Sequence, residues 1–319
     1  MAEDKTKLRV VFMGTPDFSA TILASIVTNA YNVVGVFTQP DKKVGRKQFL
    51  KKSPVKIAAE KNGIPVFTPA KFHTEAIEEL RSLRPDLIIL VAYGKILPQA
   101  VLDLPRLGAI NIHPSLLPKF RGPSPIQNAL LTGEKITGTT IMLMDAGIDT
   151  GDILRQKETT ILSDETYAGL ANRLADLSAG LLLETLDDFL AGKITPQKQN
   201  DALASYCRLI KKTDGQIDWN DSAKKIHDKF RAFAVWPGVF TSWNANGQLK
   251  RLQLKKINLT GDSATDRQPG EIFQTGDSIR IQTSDGAIEL EEIQLEGKPA
   301  VKATDFINGY KNFIGSKLS

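Results

Sequence analysis

Cysteine is almost missing: Cys207 stands alone in 319 residues, so no intrachain disulfide can form. The expected compartment is therefore a reducing one, the cytoplasm. Histidine is scarce too, and His73, His113 and His227 lie far apart. With one thiol between them they make a poor zinc set, so no metal is expected. No apolar run reaches the length of a membrane span, and a membrane partner is not expected. The opening residues, MAEDKTKLRVV, have neither the apolar core of a signal peptide nor the acid-poor character of a transit segment. The dinucleotide pattern G-x-G-x-x-G is absent as well. The turn Gly14-Thr15-Pro16-Asp17-Phe18 keeps only its first glycine, which disfavours a nucleotide-dependent oxidoreductase. A phosphate loop and a G-x-S-x-G nucleophile elbow are missing too.

What is present is an ordinary globular composition, 41% hydrophobic and 24% charged, in a chain long enough for two cores. The net charge of +5 is mild, but its distribution is not. Lys42, Lys43, Arg46, Lys47, Lys51, Lys52 and Lys56 follow one another without an acidic residue between them. Arg208, Lys211 and Lys212 form a second group, and Lys250, Arg251, Lys255 and Lys256 a third. A charge run is usually a solvated surface; three of them point to a polyanion, with nucleic acid first in line.

In the first half, short apolar runs alternate with helical patterns. Leu8 to Met13, Tyr31 to Thr38, Ile64 to Phe67 and Asp86 to Val91 read as strands. Pro16 to Val27, with Thr15 as cap, Ser53-Pro54 to Asn62, and Thr74 to Leu83 read as helices. This alternation predicts an α/β domain with a parallel sheet covered on both faces. Pro125 to Leu131 reads as a further helix. Thr137 to Met144 and Ile153 to Ile161 add strands, and Thr166 to Leu190 a long helix. The polar segment 194–213 reads as a basic linker. From Val239 onward, short strands separated by turns such as Asn246-Gly247 and Asp285-Gly286 predict a small β-barrel or sandwich. The expected division is 1–193, 194–213 and 214–319.

The chemistry is expected between Gly108 and Pro125. An apolar run, Ala109 to Ile112, ends at His113-Pro114, followed by a proline-rich loop that continues neither strand nor helix. Residues i and i+2 of a strand share a face, so Asn111 and His113 look into one cleft. In an open parallel sheet ligands bind beyond the strand carboxyl ends, and the loop carrying Asp149 is expected on that same edge. An Asn amide and a protonated His can stabilise a developing oxyanion, and an Asp can orient the His or accept a proton. Each residue alone reads equally well as a turn former or cap; the three together favour attack on an acyl group without a covalent nucleophile.

The run Asn111-Ile112-His113-Pro114-Ser115-Leu116-Leu117-Pro118 with Arg121-Gly122, and the later Met144 to Asp152, resemble the two signatures of folate-dependent formyltransferases. Gly14 to Phe18, Phe37 to Asp41, Gly45-Arg46, Ser53 to Lys56, Ala92-Tyr93-Gly94, Ile217-Asp218-Trp219 and Trp236-Pro237 resemble the branch that formylates initiator Met-tRNA. The resemblance runs from Leu8 to about Ile307. It implies a Rossmann-like formyltransferase domain followed by an OB-fold-like β-barrel. It also implies Asn111, His113 and Asp149 as the catalytic trio, with Ser115, Leu116, Leu117 and Pro118 holding the co-substrate 10-formyltetrahydrofolate. The basic segment matches an insertion that engages the tRNA acceptor stem, with Arg46 at its key arginine; Lys47-Gln48-Phe49-Leu50-Lys51-Lys52 departs from the family pattern. Lys42, Lys43, Arg46, Lys47, Lys51, Lys52, Arg208, Lys211 and Lys212 are the expected tRNA contacts, on a chain expected to be monomeric. Two alternatives remain: the same trio acting on an amino sugar nucleotide or on formyl-folate itself, and a noncatalytic RNA-binding protein.

Overall fold

The computed structural model describes residues 4–45, 48–261 and 266–319. The chain divides into two units: residues 1–125, 136–161 and 171–208 in one, and residues 126–135, 162–170 and 209–319 in the other. Among the described residues no helix is long and apolar enough to cross a membrane.

The first unit is built on one sheet. Its parallel strands are β1 (Val10–Gly14), β2 (Val33–Phe37), β5 (Val66–Phe67), β6 (Leu87–Val91) and β7 (Ala109–His113). Between them lie α1 (Asp17–Thr28), the short strands β3 (Lys42–Val44) and β4 (Phe49–Lys51), α2 (Pro54–Lys61), α3 (Thr74–Ser82) and α4 (Gln99–Leu102). Next in this unit come β8 (Ile136–Leu143), β9 (Ile153–Thr160) and most of the long α6 (Tyr167–Leu190), while α5 (Pro125–Leu131) falls almost wholly in the second unit. The sheet order is β5-β2-β1-β6-β7-β8-β9, so the strand order reverses beside β1, as in doubly wound folds.

Strand alternation sorts the core into two layers. Val10, Phe12, Leu87, Ile89, Ile110 and Ile112 pack with Ile22, Ile26, Leu182 and Leu186 from α1 and α6. Val11, Met13, Ile88, Leu90 and Ala109 pack on the opposite face with Leu80, Tyr93 and Val101. Both faces are buried, which is why these strands read as continuous apolar runs.

Several expectations change. β8 runs antiparallel to β7, pairing His113 with Thr140 and Ile110 with Leu143, and β9 is antiparallel to β8. The carboxyl end of β8 thus lies at the opposite sheet edge from that of β7, and the Asp149 loop does not reach the site along a shared strand edge. Thr15 caps nothing: its hydroxyl donates to the Tyr93 carbonyl at 3.1 Å, and Pro16 stands at the helix N-cap. The basic segment, expected to be a loop, forms a β3–β4 hairpin, because Lys42 to Val44 and Phe49 to Lys51 are long enough to exchange ladder hydrogen bonds. Ser53 does cap α2, accepting the Lys56 amide at 3.0 Å.

The second unit is an antiparallel half-barrel. Its strands are β10 (Val239–Ala245), β11 (Gln248–Leu259), β12 (Ile272–Thr275), β13 (Ser278–Gln282), β14 (Ala287–Leu295) and β15 (Ala300–Lys302). They pair in the order β10-β11-β14-β13-β12, with β15 added to β14. Register shifts around Lys256 bend β11, the usual way a long strand curves in a barrel-like sheet. The helices α7 (Ala223–Phe233) and α8 (Ala303–Gly309) complete it. Its core centres on Trp243, fully buried against Phe306, Tyr310 and Phe313.

Candidate active site

β7 supplies the first two site residues by alternation. Ile110 and Ile112 enter the α1/α6 layer, so Asn111 and His113 face the other side together with Ala109. Both are buried, 6% and 4% exposed. Polar groups so placed need partners. Asn111 Nδ2 donates to Asp149 Oδ1 at 3.2 Å. His113 Nδ1 stands 3.6 Å from Asp149 Oδ2, and His113 Nε2 lies 2.9 Å from the Phe120 carbonyl. A carbonyl only accepts, so the ring proton belongs on Nε2, which fixes the imidazole and leaves Nδ1 facing the carboxylate.

Asp149 arrives from the loop after β8, which folds back over this face. Leu143 N–H donates to Asp152 O at 2.9 Å and closes the loop at its base. A side chain at Gly151 would collide with the Leu143 carbonyl, its Cβ falling 1.7 Å from that oxygen, so only glycine lets the strands close there. Inside the loop, Asp145 Oδ1 accepts from Gly147 N at 3.0 Å and from Thr150 Oγ1 at 2.7 Å. Asp149 itself takes a left-handed conformation, φ +53°, rare for a residue with a side chain. Its Oδ2 accepts the Gly122 amide at 2.8 Å.

The loop 114–124 is held from within. Ser115, 1% exposed, donates to the Lys119 carbonyl at 2.6 Å. Thr140 Oγ1 donates to Ser115 O at 2.7 Å and accepts Leu117 N–H at 3.1 Å, while Gln156 Nε2 donates to Leu117 O at 2.8 Å. Ser115 and Leu117 are therefore pinned, and Leu116 and Pro118 stay partly exposed. Phe120 N–H donates to Ser205 Oγ, and Cys207 N–H to the Arg121 carbonyl. The segment after α6 thus lies beside this loop. Burial pushes the Cys207 thiol above its ordinary range.

The basic residues fall into two kinds. Lys52 pairs with Glu60 at 2.8 Å and Lys56 with Asp41 at 2.9 Å. Lys42 and Lys51 oppose one another across the β3–β4 hairpin, a like-charge pair that disfavours the hairpin by itself. Among the described residues Lys42, Lys43 and Lys51 have no acidic partner. Beside them lies a recess of about 180 Å³ lined by Thr15, Gln39, Lys42, Lys51, Lys52 and Ser53. Arg46 and Lys47 lie outside the described residues. Arg208, in the first unit, and Lys211 and Lys212, in the second, are exposed. In the half-barrel, Lys256 is paired with Glu291, and Arg251 stacks 3.4 Å from the Phe240 ring centre. Among the described residues no group of three or more His, Cys, Asp or Glu side chains could hold a metal.

Asn111, His113 and Asp149 lie close together, with Asp149 coming from the loop after antiparallel β8 and not along a shared parallel strand edge. Phe120, Gly122 and Gln199 join them without having been expected from the sequence. The Arg121-Gly122 pair of the signature run points to Gly122 alone.

Comparisons with known proteins agree with this geometry. Residues 7–186 match the family described as formyl transferase, and residues 209–311 its C-terminal domain. The methionyl-tRNA formyltransferase of Citrifermentans bemidjiense is 43% identical over 98% of this chain and 97% of its own. That of Caldicellulosiruptor saccharolyticus is 44% identical over 97% and 99%. Among solved structures, the N-formyltransferase of Helicobacter canadensis, in complex with folinic acid and dTDP-3-aminofucose, superposes with a TM-score of 0.67 at 22% identity, over 89% of this chain and 98% of that one. HypX from Aquifex aeolicus in complex with tetrahydrofolic acid gives 0.64 at 18%, over 96% and 48%. At such identities the structures speak for the fold, whereas the sequence matches extend along nearly the whole chain: it belongs to the formyl transferase family.

Proposed function

We propose that the protein transfers the formyl group of 10-formyltetrahydrofolate to the α-amino group of methionine on initiator Met-tRNA, giving N-formylmethionyl-tRNA for translation initiation. The observation that carries this reading is the convergence of Asn111, His113 and Asp149 on one buried face of β7. The full-length similarity to proteins named methionyl-tRNA formyltransferase supplies the acceptor.

The trio suits this chemistry. The amine nitrogen forms a bond to the formyl carbon, the bond from that carbon to N10 breaks, and tetrahydrofolate leaves after N10 gains a proton. A free α-amino group has a pKa of about 7.7 to 8.0, so a useful neutral fraction exists near pH 7. The larger demand is the charge that develops on the formyl oxygen. Asn111 Nδ2 is one donor for it. His113, anchored through Nε2 on the Phe120 carbonyl, is the second in its imidazolium form, which carries a proton on Nδ1 as well. Asp149, beside both, holds them and takes up the amine proton, directly or through water.

Folate contact is assigned to the loop 115–118. Pinned Ser115 and Leu117 set its shape, and Leu116 and Pro118 present apolar edges to a flat heterocycle. The acceptor end of tRNA is assigned to the β3–β4 hairpin with its Lys42, Lys43 and Lys51, to Lys52 after it, and to Arg46 and Lys47, which fall between the two strands in sequence. Arg208, Lys211 and Lys212 add phosphate contacts, which position a nucleic acid without reading its sequence. Lys250 and Lys255 of the half-barrel contribute nonspecific attraction.

The test is one assay: 10-formyltetrahydrofolate offered with initiator Met-tRNA, a glycinamide nucleotide or an amino sugar nucleotide, with formylated product followed by mass. Product on the tRNA is expected. Product on a small acceptor and none on the tRNA would sink the assignment.

A further inference from the structure

The left-handed backbone of Asp149 is unexplained by its own loop. The internal bonds there, from Gly147 and Thr150 to Asp145, leave Asp149 untouched. A non-glycine residue at φ +53° is strained and persists only where its surroundings over-determine it. The compensation comes from far along the chain. Gln199 Nε2 donates to the Asp149 carbonyl at 2.9 Å and to the Gly151 carbonyl at 2.8 Å, clamping both sides of the turn. Its Oε1 accepts from Arg121 Nε at 3.1 Å and Arg121 Nη2 at 2.8 Å. Both donors and both lone pairs of one amide are thus used, and the flipped amide would set donor against donor.

Arg121 is buried, 1% exposed, and the rest of its guanidinium reaches Asp201 Oδ1 at 2.7 Å and Tyr206 OH at 3.3 Å. Its chain neighbour, Gly122, donates to the Asp149 carboxylate. Arg121-Gly122 therefore grips Asp149 twice: the Asp149 side chain through Gly122, and the Asp149 backbone through Gln199. The antiparallel pairing of Gln197 with Ile153 sets Gln199 at the right height.

We infer that Gln199, oriented by Arg121, is a positioning residue that holds Asp149 against Asn111 and His113. This rests on the reading of those three as the reacting groups. A displacement of about 1 Å at a reacting group can cost on the order of a hundredfold in rate.

Gln199→Glu tests it, because it keeps the length and the acceptor for Arg121 but turns both donors into lone pairs facing carbonyls. Gln199→Met, with no charge and similar length, is measured beside it, and near-UV circular dichroism fixes the folded fraction of each. The expected result is a fall in kcat of about 10- to 100-fold in both, with KM for Met-tRNA and for the folate within about twofold. In an Asp149→Asn background, Gln199→Glu is expected to add less than about a threefold further loss, since residues acting as one unit are not additive. Unchanged kcat in the folded single variants, or a full multiplicative loss in the double variant, would overturn the inference. Wild-type turnover in Asp149→Asn alone would instead overturn the trio, whatever Gln199→Glu does.

Discussion

Asp149 Oδ2 stands 3.6 Å from His113 Nδ1, while the other carboxylate oxygen holds Asn111 Nδ2 at 3.2 Å. One side chain thus keeps in place both groups proposed as oxyanion donors, before substrate enters. This is preorganisation: the donors' orientation is settled before the reaction begins.

Asn111→Ala is the direct probe. Loss of one oxyanion donor is expected to lower kcat by about 100- to 1000-fold, with folate binding unchanged by equilibrium titration. Near-normal turnover would mean that the amide serves only to hold Asp149.

The hairpin makes a different demand. In the double variant Lys42→Ala/Lys51→Ala, KM for Met-tRNA is expected to rise, and the log–log salt dependence of tRNA binding to flatten by about one unit for each phosphate no longer neutralised. Arg46→Ala is expected to behave alike, and folate binding to stay unchanged in both. An unaltered salt slope would assign the hairpin to bare solvated surface.

Acid stability should depend on Asp86. Burial works to raise its carboxyl, but the Arg9 amide at 2.8 Å and then the Arg106 guanidinium at 2.7 Å outweigh it and hold it below the ordinary carboxylate range. A depressed folded value adds stability above the unfolded value of about 3.9, and that contribution is lost as pH falls through the folded one. Asp86→Ala is expected to cost about 2 kcal/mol at pH 7, with the gap to wild type closing below about pH 4. Urea midpoints of both proteins across that range decide it; a gap independent of pH would refute the carboxylate's role.

The half-barrel should depend on one indole. Trp243 packs edge-on against three rings within 5.6 Å, and its Nε1 donates to Ser316 Oγ at 2.9 Å. Trp243→Ala is expected to destabilise this unit by about 3–5 kcal/mol. Hydrogen exchange of β10, β11 and β14 amides would register the loss there.

Much of the fold was legible because both faces of the first sheet are buried. LRVVFM and DLIILV could only be interior strands, and the helix read over Pro125 to Leu131 has those same bounds in the structure. What periodicity cannot carry is strand direction. Thr137 to Met144 reads the same parallel or antiparallel, and the placement of Asp149 turned on that. Asn111 and His113 were visible because alternation ties them to Ile110 and Ile112. Gln199 was invisible: a lone amide in a polar stretch has no pattern, and its worth depends on carbonyls tens of residues away. The hairpin was missed for a related reason, since its lysines hide the β-propensity of Val44, Phe49 and Leu50.

The pairing of 197–208 with Ile153 and Arg121 bears on how the chain is made. Synthesis delivers the sheet first: every strand of it has emerged by Thr160, and α6 follows to cover one layer. Only when Gln199, Ser205 and Cys207 arrive do the Asp149 turn and the loop at Phe120 gain their last anchors. A nascent chain halted after Leu190 would hold a complete sheet around an unfinished candidate site, so that site is completed late, by a stretch that belongs to no strand of the sheet.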